Sequence, residues 1–117
     1  MTITLATLYQ ATAQEVFDQI SRHLLGQMDQ CANGLLNRCF YHDNTGLKCA
    51  AGCLISDDEY SHEMEDLSWI KLCKKYKVTQ KHAKIIKMLQ HVHDWQQPEY
   101  WAESLERIAY QLELKPN

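Results

Sequence analysis

Four stretches of this chain repeat apolar residues every three or four positions, a spacing that suits packed amphipathic helices. They are Val16, Phe17, Ile20, Leu24 and Met28; Leu67, Ile70 and Cys73; Ala83, Ile86, Leu89 and Val92 or His93; and Trp101, Leu105, Ile108 and Leu112. Local signals agree. Thr12-x-x-Glu15 reads as a capping box opening a helix that ends near Met28. The second stripe predicts a helix over Glu65 to Tyr76, Thr79 caps a third reaching about Trp95, and Pro98 suits the first position of the last. With Gly 4 and Pro 2, the chain has too few turn residues for an all-β sandwich.

Between the helices the pattern changes. Thr2 to Leu8 is β-prone and reads as a strand or a packed arm, and Asp29 to Asn37 is polar, with a turn signal at Asn33-Gly34. Arg38 to Tyr41 and Leu47 to Cys49 flank Asp43-Asn44-Thr45-Gly46, a hairpin pattern. Ala50 to Ile55 is small and apolar, which places it in the core as a tight turn or short helix, and Ser56 reads as an N-cap. The expected class is α+β, mostly α: four to five helices packed with one small β-hairpin, in a single domain spanning 1–117.

A hydrophobic fraction of 45% and a charged fraction of 23% describe a folding chain rather than a disordered one. No apolar run is long enough for a membrane span. Met1 to Gln10 lacks the basic start and apolar core of a signal peptide, so a cytoplasmic location with five reduced cysteines is expected. A net charge of −3 argues against a general nucleic-acid binder. The basic run Lys71, Lys74, Lys75, Lys77, Lys81, Lys84 and Lys87 reads first as a solvated helix face. Its sharper reading is a docking face for an acidic partner or a phosphate backbone, with Lys81 and Lys84 at its centre.

The densest set of soft ligands is Cys39-x2-His42-x6-Cys49-x3-Cys53. Zinc takes four such donors in a tetrahedron, so these four are the metal candidates. The spacing is not that of a standard finger, and the bland alternative is that the cysteines pack as small apolar residues. No cofactor is expected otherwise. A nucleophile would need a base beside it, and Cys49 or Cys53 with His93 and Asp94 is the only combination that suggests itself. His91-x-His93 lies in a predicted helix, where residues two apart diverge, so one imidazole belongs at the core edge and the other in solvent. Phosphate-loop, dinucleotide and nucleophile-elbow motifs are missing, and the leaning is away from an enzyme. Tyrosine and tryptophan anchor protein interfaces, and Tyr60 and Tyr100 are the candidates here.

Two segments resemble a known pattern. Cys39-Phe40-Tyr41, followed by Gly46-Leu47-Lys48-Cys49-Ala50-Ala51-Gly52-Cys53-Leu54-Ile55-Ser56-Asp57-Asp58-Glu59-Tyr60 and Met64-Glu65, is similar to a motif of small uncharacterised proteins of bacteriophages and prophages. Leu89-Gln90-His91-Val92-His93-Asp94, then Trp101 and Leu105, resembles the C-terminal part of those proteins. His42 stands where that pattern often has arginine, and Asp66 where it often has glycine. A zinc site using His42 is therefore not a feature of the pattern. The resemblance implies a phage-type accessory protein in a bacterial host, of the kind that often acts by binding a host protein as an inhibitor or anti-defence factor.

Overall fold

The computed structural model describes residues 2–33 and 38–116, so the Gly34 half of the expected Asn33-Gly34 turn lies outside the described residues. Four α-helices carry the architecture: α1 (Ala13–Gln27), α2 (Trp69–Tyr76), α3 (Ala83–Trp95) and α4 (Trp101–Gln111). Short 3-10 turns at Leu8–Gln10, Ala51–Leu54, His62–Asp66 and Pro98–Tyr100 join them.

The start of α1 follows its sequence. Thr12 Oγ1 accepts the Glu15 amide at 3.1 Å and the Glu15 carboxylate accepts the Thr12 amide at 2.8 Å. The helix stops at Met28, whose φ of 52° is left-handed. The expected helix over Glu65 to Tyr76 is divided. Leu67 is extended, and Ser68 caps a fresh start by accepting the Lys71 amide. Thr79 caps only a turn, and α3 begins after His82.

The class is all-α, which corrects the α+β expectation. Asp43 does build the expected turn: one carboxylate oxygen accepts the Thr45 amide at 2.8 Å, the Thr45 hydroxyl at 2.7 Å and the Leu47 amide at 2.9 Å. The flanks, however, meet in a single isolated bridge, His42 opposite Lys48, and form no hairpin strands. The cause is competition for the backbone groups that would complete the ladder: the Tyr41 amide donates to Glu65 at 2.9 Å, the Leu47 amide to the Asp43 side chain, and the Cys49 carbonyl accepts the Cys53 amide at 3.1 Å. The Lys48 amide donates to Gln27 Oε1 at 3.0 Å, and the Lys48 carbonyl accepts Gln27 Nε2 at 2.9 Å and the His23 ring at 2.8 Å. These Lys48 groups face away from the bridge and fasten the segment to α1. The remaining extended pairing among the described residues, Ala32–Asn33 with Arg38–Cys39, is two residues long and makes no layer.

The main core gathers Phe17, Ile20 and Leu24 of α1, Ile86 and Leu89 of α3 and Trp101 of α4 around Ala50, Ala51 and Leu54. A smaller cluster of Leu5, Ile55, Met64 and Leu72 lies beside it. The N-terminal segment is an arm that packs rather than a strand. Gln19 holds the Ile3 backbone at both its amide and carbonyl, and Glu59 accepts the Leu5, Ala6 and Ser56 amides at 3.0, 2.9 and 3.0 Å. Burial raises the pKa of Glu59, but these hydrogen bonds outweigh it and leave the carboxyl below its ordinary value.

A group whose pKa falls on folding stabilises the fold above its unfolded value, and that contribution is lost as pH drops through the folded value. Glu59→Ala is therefore expected to cost about 2 kcal/mol at neutral pH, from three amides left without an acceptor. The gap between wild type and variant in denaturant midpoint should close as pH falls through the acid range. An equal gap at neutral and acid pH would contradict this role.

Candidate functional site

The predicted ligands do not converge. Among the described residues, no three of Cys39, His42, Cys49 and Cys53 bring ligand atoms together. His42 Nε2 donates to the Gly52 carbonyl at 2.9 Å, and its ring stacks on Tyr60 with centroids 4.4 Å apart. Cys49 is buried, and its sulfur accepts the Gly52 amide at 3.2 Å. Burial pushes the Cys49 thiol well above its usual range and the Cys53 thiol up to about 12. Buried thiols raised in this way are poor nucleophiles.

Cys39 instead meets His93 and Asp94, the residues that sequence paired with Cys49 or Cys53. The three donor atoms lie within 4.8 Å of one another. Helix α3 supplies both partners, with His93 turned into the core at 0% exposure and Asp94 at the rim. The hydrogen bonds fix the imidazole. His93 Nε2 lies 2.9 Å from the Cys31 amide, which can only donate, so Nε2 is the acceptor. Nδ1 therefore carries the proton and donates to Asp94 at 2.8 Å. Trp101 closes the ring's face, with centroids 5.6 Å apart.

The order of the trio decides its chemistry. Asp94 sits between the thiol and the imidazole and accepts from His93, Gln90 and Cys39. Burial raises the Asp94 pKa, but these hydrogen bonds outweigh it and hold the carboxyl below its ordinary value. Burial, aided by the Asp94 charge, pushes the Cys39 thiol up to about 12. An activated cysteine has a lowered pKa, and Cys39 does not, although a nitrogen of the His93 ring lies within 4.8 Å of its sulfur. Zinc fits the trio no better. Coordination through Nδ1 would move the imidazole proton to Nε2, where it would face the Cys31 N–H.

This arrangement forms one wall of a cavity of ≈ 360 Å³ bounded by α2, α3 and the 39–51 segment. Its apolar lining includes Phe40, Tyr41, Trp69, Ile70 and Ile86.

The remaining sequence candidates fall on the surface. Tyr60 is half-buried and donates its hydroxyl to Glu65 at 2.5 Å, so its ring is occupied within the fold. Tyr100 is 54% exposed, and Lys81 and Lys84 are exposed at the opposite end of α3. Sequence reasoning passed over the most exposed tryptophan. Trp95 is 76% exposed and lies on one stripe of α3 with Lys84, Met88 and His91, at spacings of four, three and four. The His91 and Trp95 rings are 6.0 Å apart, and a recess of ≈ 260 Å³ beside them is lined by Met88, Val92 and Ile108. The signal was present in the sequence: Trp95 falls outside the apolar stripe that the helix buries.

Comparison with protein-family models, with curated proteins and with solved structures finds no match. Charge, however, divides sharply. The span from Trp69 to Trp95 holds seven of the twelve lysines and arginines and one of the fifteen acidic residues, so it carries +6 and the rest of the chain −9. Of those lysines only Lys75 has an ion-pair partner among the described residues, Glu63 at 3.0 Å. Among the described residues, no helix is long and apolar enough to cross a membrane.

Proposed function

We propose that this chain is a phage-type accessory protein of the bacterial cytoplasm that acts without catalysis, by docking on an acidic face of a host protein through the outer stripe of α3. The observation that carries the reading is that stripe: about three helical turns bearing unpaired Lys84 and exposed His91 and ending on a tryptophan left in water. Tryptophan and methionine beside a recess are the side chains that anchor interfaces, and lysines at the margin steer an acidic partner into place. From Lys84 to Trp95 the stripe runs about 16 Å. The motif resemblance supports the phage origin.

Nucleic acid is the weaker partner. A polyanion drawn to the +6 span would meet −9 on the remainder of a small molecule, whereas a protein's acidic patch is local. Zinc would have Cys39, His93 and Asp94 as ligands only if the Cys31 amide gave up its acceptor.

The test is capture from bacterial lysate with tagged wild type, Trp95→Ala and Lys84→Glu. Both positions are exposed, so melting should stay within a degree or two. One stoichiometric protein is expected on wild type, reduced at least about tenfold on Trp95→Ala and weakened by salt on all three. Equal retention by wild type and both variants would remove the stripe from the account.

A further inference from the structure

The cavity between α2, α3 and the 39–51 segment is lined by more negative charge than positive. Asp94 stands half-buried in its wall and accepts hydrogen bonds from His93 Nδ1, Gln90 and Cys39. These donors are uncharged, since His93 Nε2 accepts the Cys31 amide and the ring holds a single proton. Against the pull of burial they keep the carboxyl below its ordinary value, and none of them cancels its charge. Glu65, also half-buried in the lining, accepts the Tyr41 and His42 amides and adds a second carboxylate. Lys87 opposes them from an exposed position at the rim, where water and salt screen it.

The walls beside these carboxylates are aromatic. Phe40, Tyr41 and Trp69 all line the cavity. The Tyr41 and Trp69 rings lie 6.5 Å apart and inclined at 57°, so their planes form a corner. Trp69 is half-buried while its indole nitrogen is fully buried, so what its side chain presents is ring carbon. The Tyr41 hydroxyl is already bonded to the Leu67 carbonyl at 2.7 Å. Aromatic rings attract cations, most strongly where water is excluded. A volume of ≈ 360 Å³ falls within the range of small-molecule sites.

From these charges and walls we infer that the cavity binds a quaternary ammonium group, its methyls in the Tyr41–Trp69 corner and against Phe40, its charge toward Asp94 and Glu65. Such a group carries no N–H, so recognition does not require any polar atom of the wall to be free. A primary ammonium would bring three donors to a site whose Asp94 already accepts three. An anion would meet both carboxylates. A neutral ligand of the same shape would keep the packing and lose the attraction of the charge.

The inference does not rest on protein docking, because it leaves Trp95 and Lys84 aside. The experiment titrates the full chain into choline and, separately, into 3,3-dimethylbutan-1-ol, its neutral isostere with carbon in place of nitrogen. The methyl singlet of each ligand is followed by NMR, where an upfield move reports contact with ring faces. The choline singlet is expected to move upfield saturably, with a Kd of about 1 mM or tighter, and the isostere to bind at least about fivefold more weakly. Phe40→Leu is expected to weaken choline at least about threefold. Lys87→Gln, at an exposed position, removes the opposing charge and is expected to tighten choline about twofold. A choline singlet that does not move, an isostere that binds as tightly as choline, or a Lys87→Gln variant that binds choline more weakly would each overturn the assignment. Should Phe40→Leu fail to fold, the isostere and Lys87→Gln comparisons still decide the matter.

Discussion

Gly52→Ala is expected to destabilise the protein by about 3 kcal/mol or more, the cost of forcing a methyl group into backbone that cannot withdraw. A Cβ at this position would lie 2.0 Å from the Tyr41 carbonyl oxygen. Tyr41 has little freedom to move: its amide is held by Glu65, its hydroxyl by the Leu67 carbonyl, and its own carbonyl accepts the Cys49 amide at 3.2 Å. The Gly52 carbonyl also holds the His42 ring, so any shift travels in both directions. The expected result is a lower urea midpoint with unchanged slope. Gly26→Ala is the internal control. It lies within α1 with nothing within 4 Å of an added Cβ, and it should be neutral or stabilise by about 0.5–1 kcal/mol. Comparable loss at both positions would show that the close approach at Gly52 is not what matters.

His93→Leu is expected to cost about 3–5 kcal/mol, although leucine is apolar and of similar bulk. The substitution leaves the Cys31 amide buried without an acceptor and removes one of three donors from Asp94. Glutamine reaches about as far as Nε2 with an acceptor oxygen, so His93→Gln should recover roughly half of the loss. His91→Leu, on the exposed side of the same helix, should change stability by no more than about 0.5 kcal/mol. The comparison is read from denaturant unfolding of the four proteins side by side. Equal stability of His93→Leu and wild type would show that the imidazole acts only as filler.

The helices were legible wherever the signal is local. Thr12-x-x-Glu15 and the stripe from Val16 to Leu24 mark α1, and Trp101, Leu105 and Ile108 mark the buried face of α4. The small run Ala50 to Leu54 was legible as a tight core turn because its composition permits only close approach. The hairpin was not, because what cancels it lies outside the pattern: Glu65 takes the Tyr41 amide and the Cys53 amide takes the Cys49 carbonyl, the two groups that would have extended the pairing. The split of the helix expected from Glu65 to Tyr76 turns on Ser68, a cap signal inside an otherwise periodic stretch. His91 and His93 divided as helical geometry requires, one outside and one inside. Their cysteine neighbour did not follow from sequence, since Cys39 and Asp94 meet across fifty-five positions and no local pattern encodes that contact. The surface stripe was half legible. Its lysines stood out as a run, but Trp95 gained meaning only once the buried face of α3 was known.

The most direct measurement of the docking account is site-specific photo-crosslinking in bacterial cells. A photoreactive phenylalanine would replace His91, inside the α3 stripe, and separately Tyr110, which is 88% exposed on α4 and lies outside the stripe. The account predicts one discrete protein adduct from position 91, lost when Trp95→Ala is added, and none from position 110. Adducts of equal yield from both positions, or nucleic acid alone crosslinked at position 91, would contradict it.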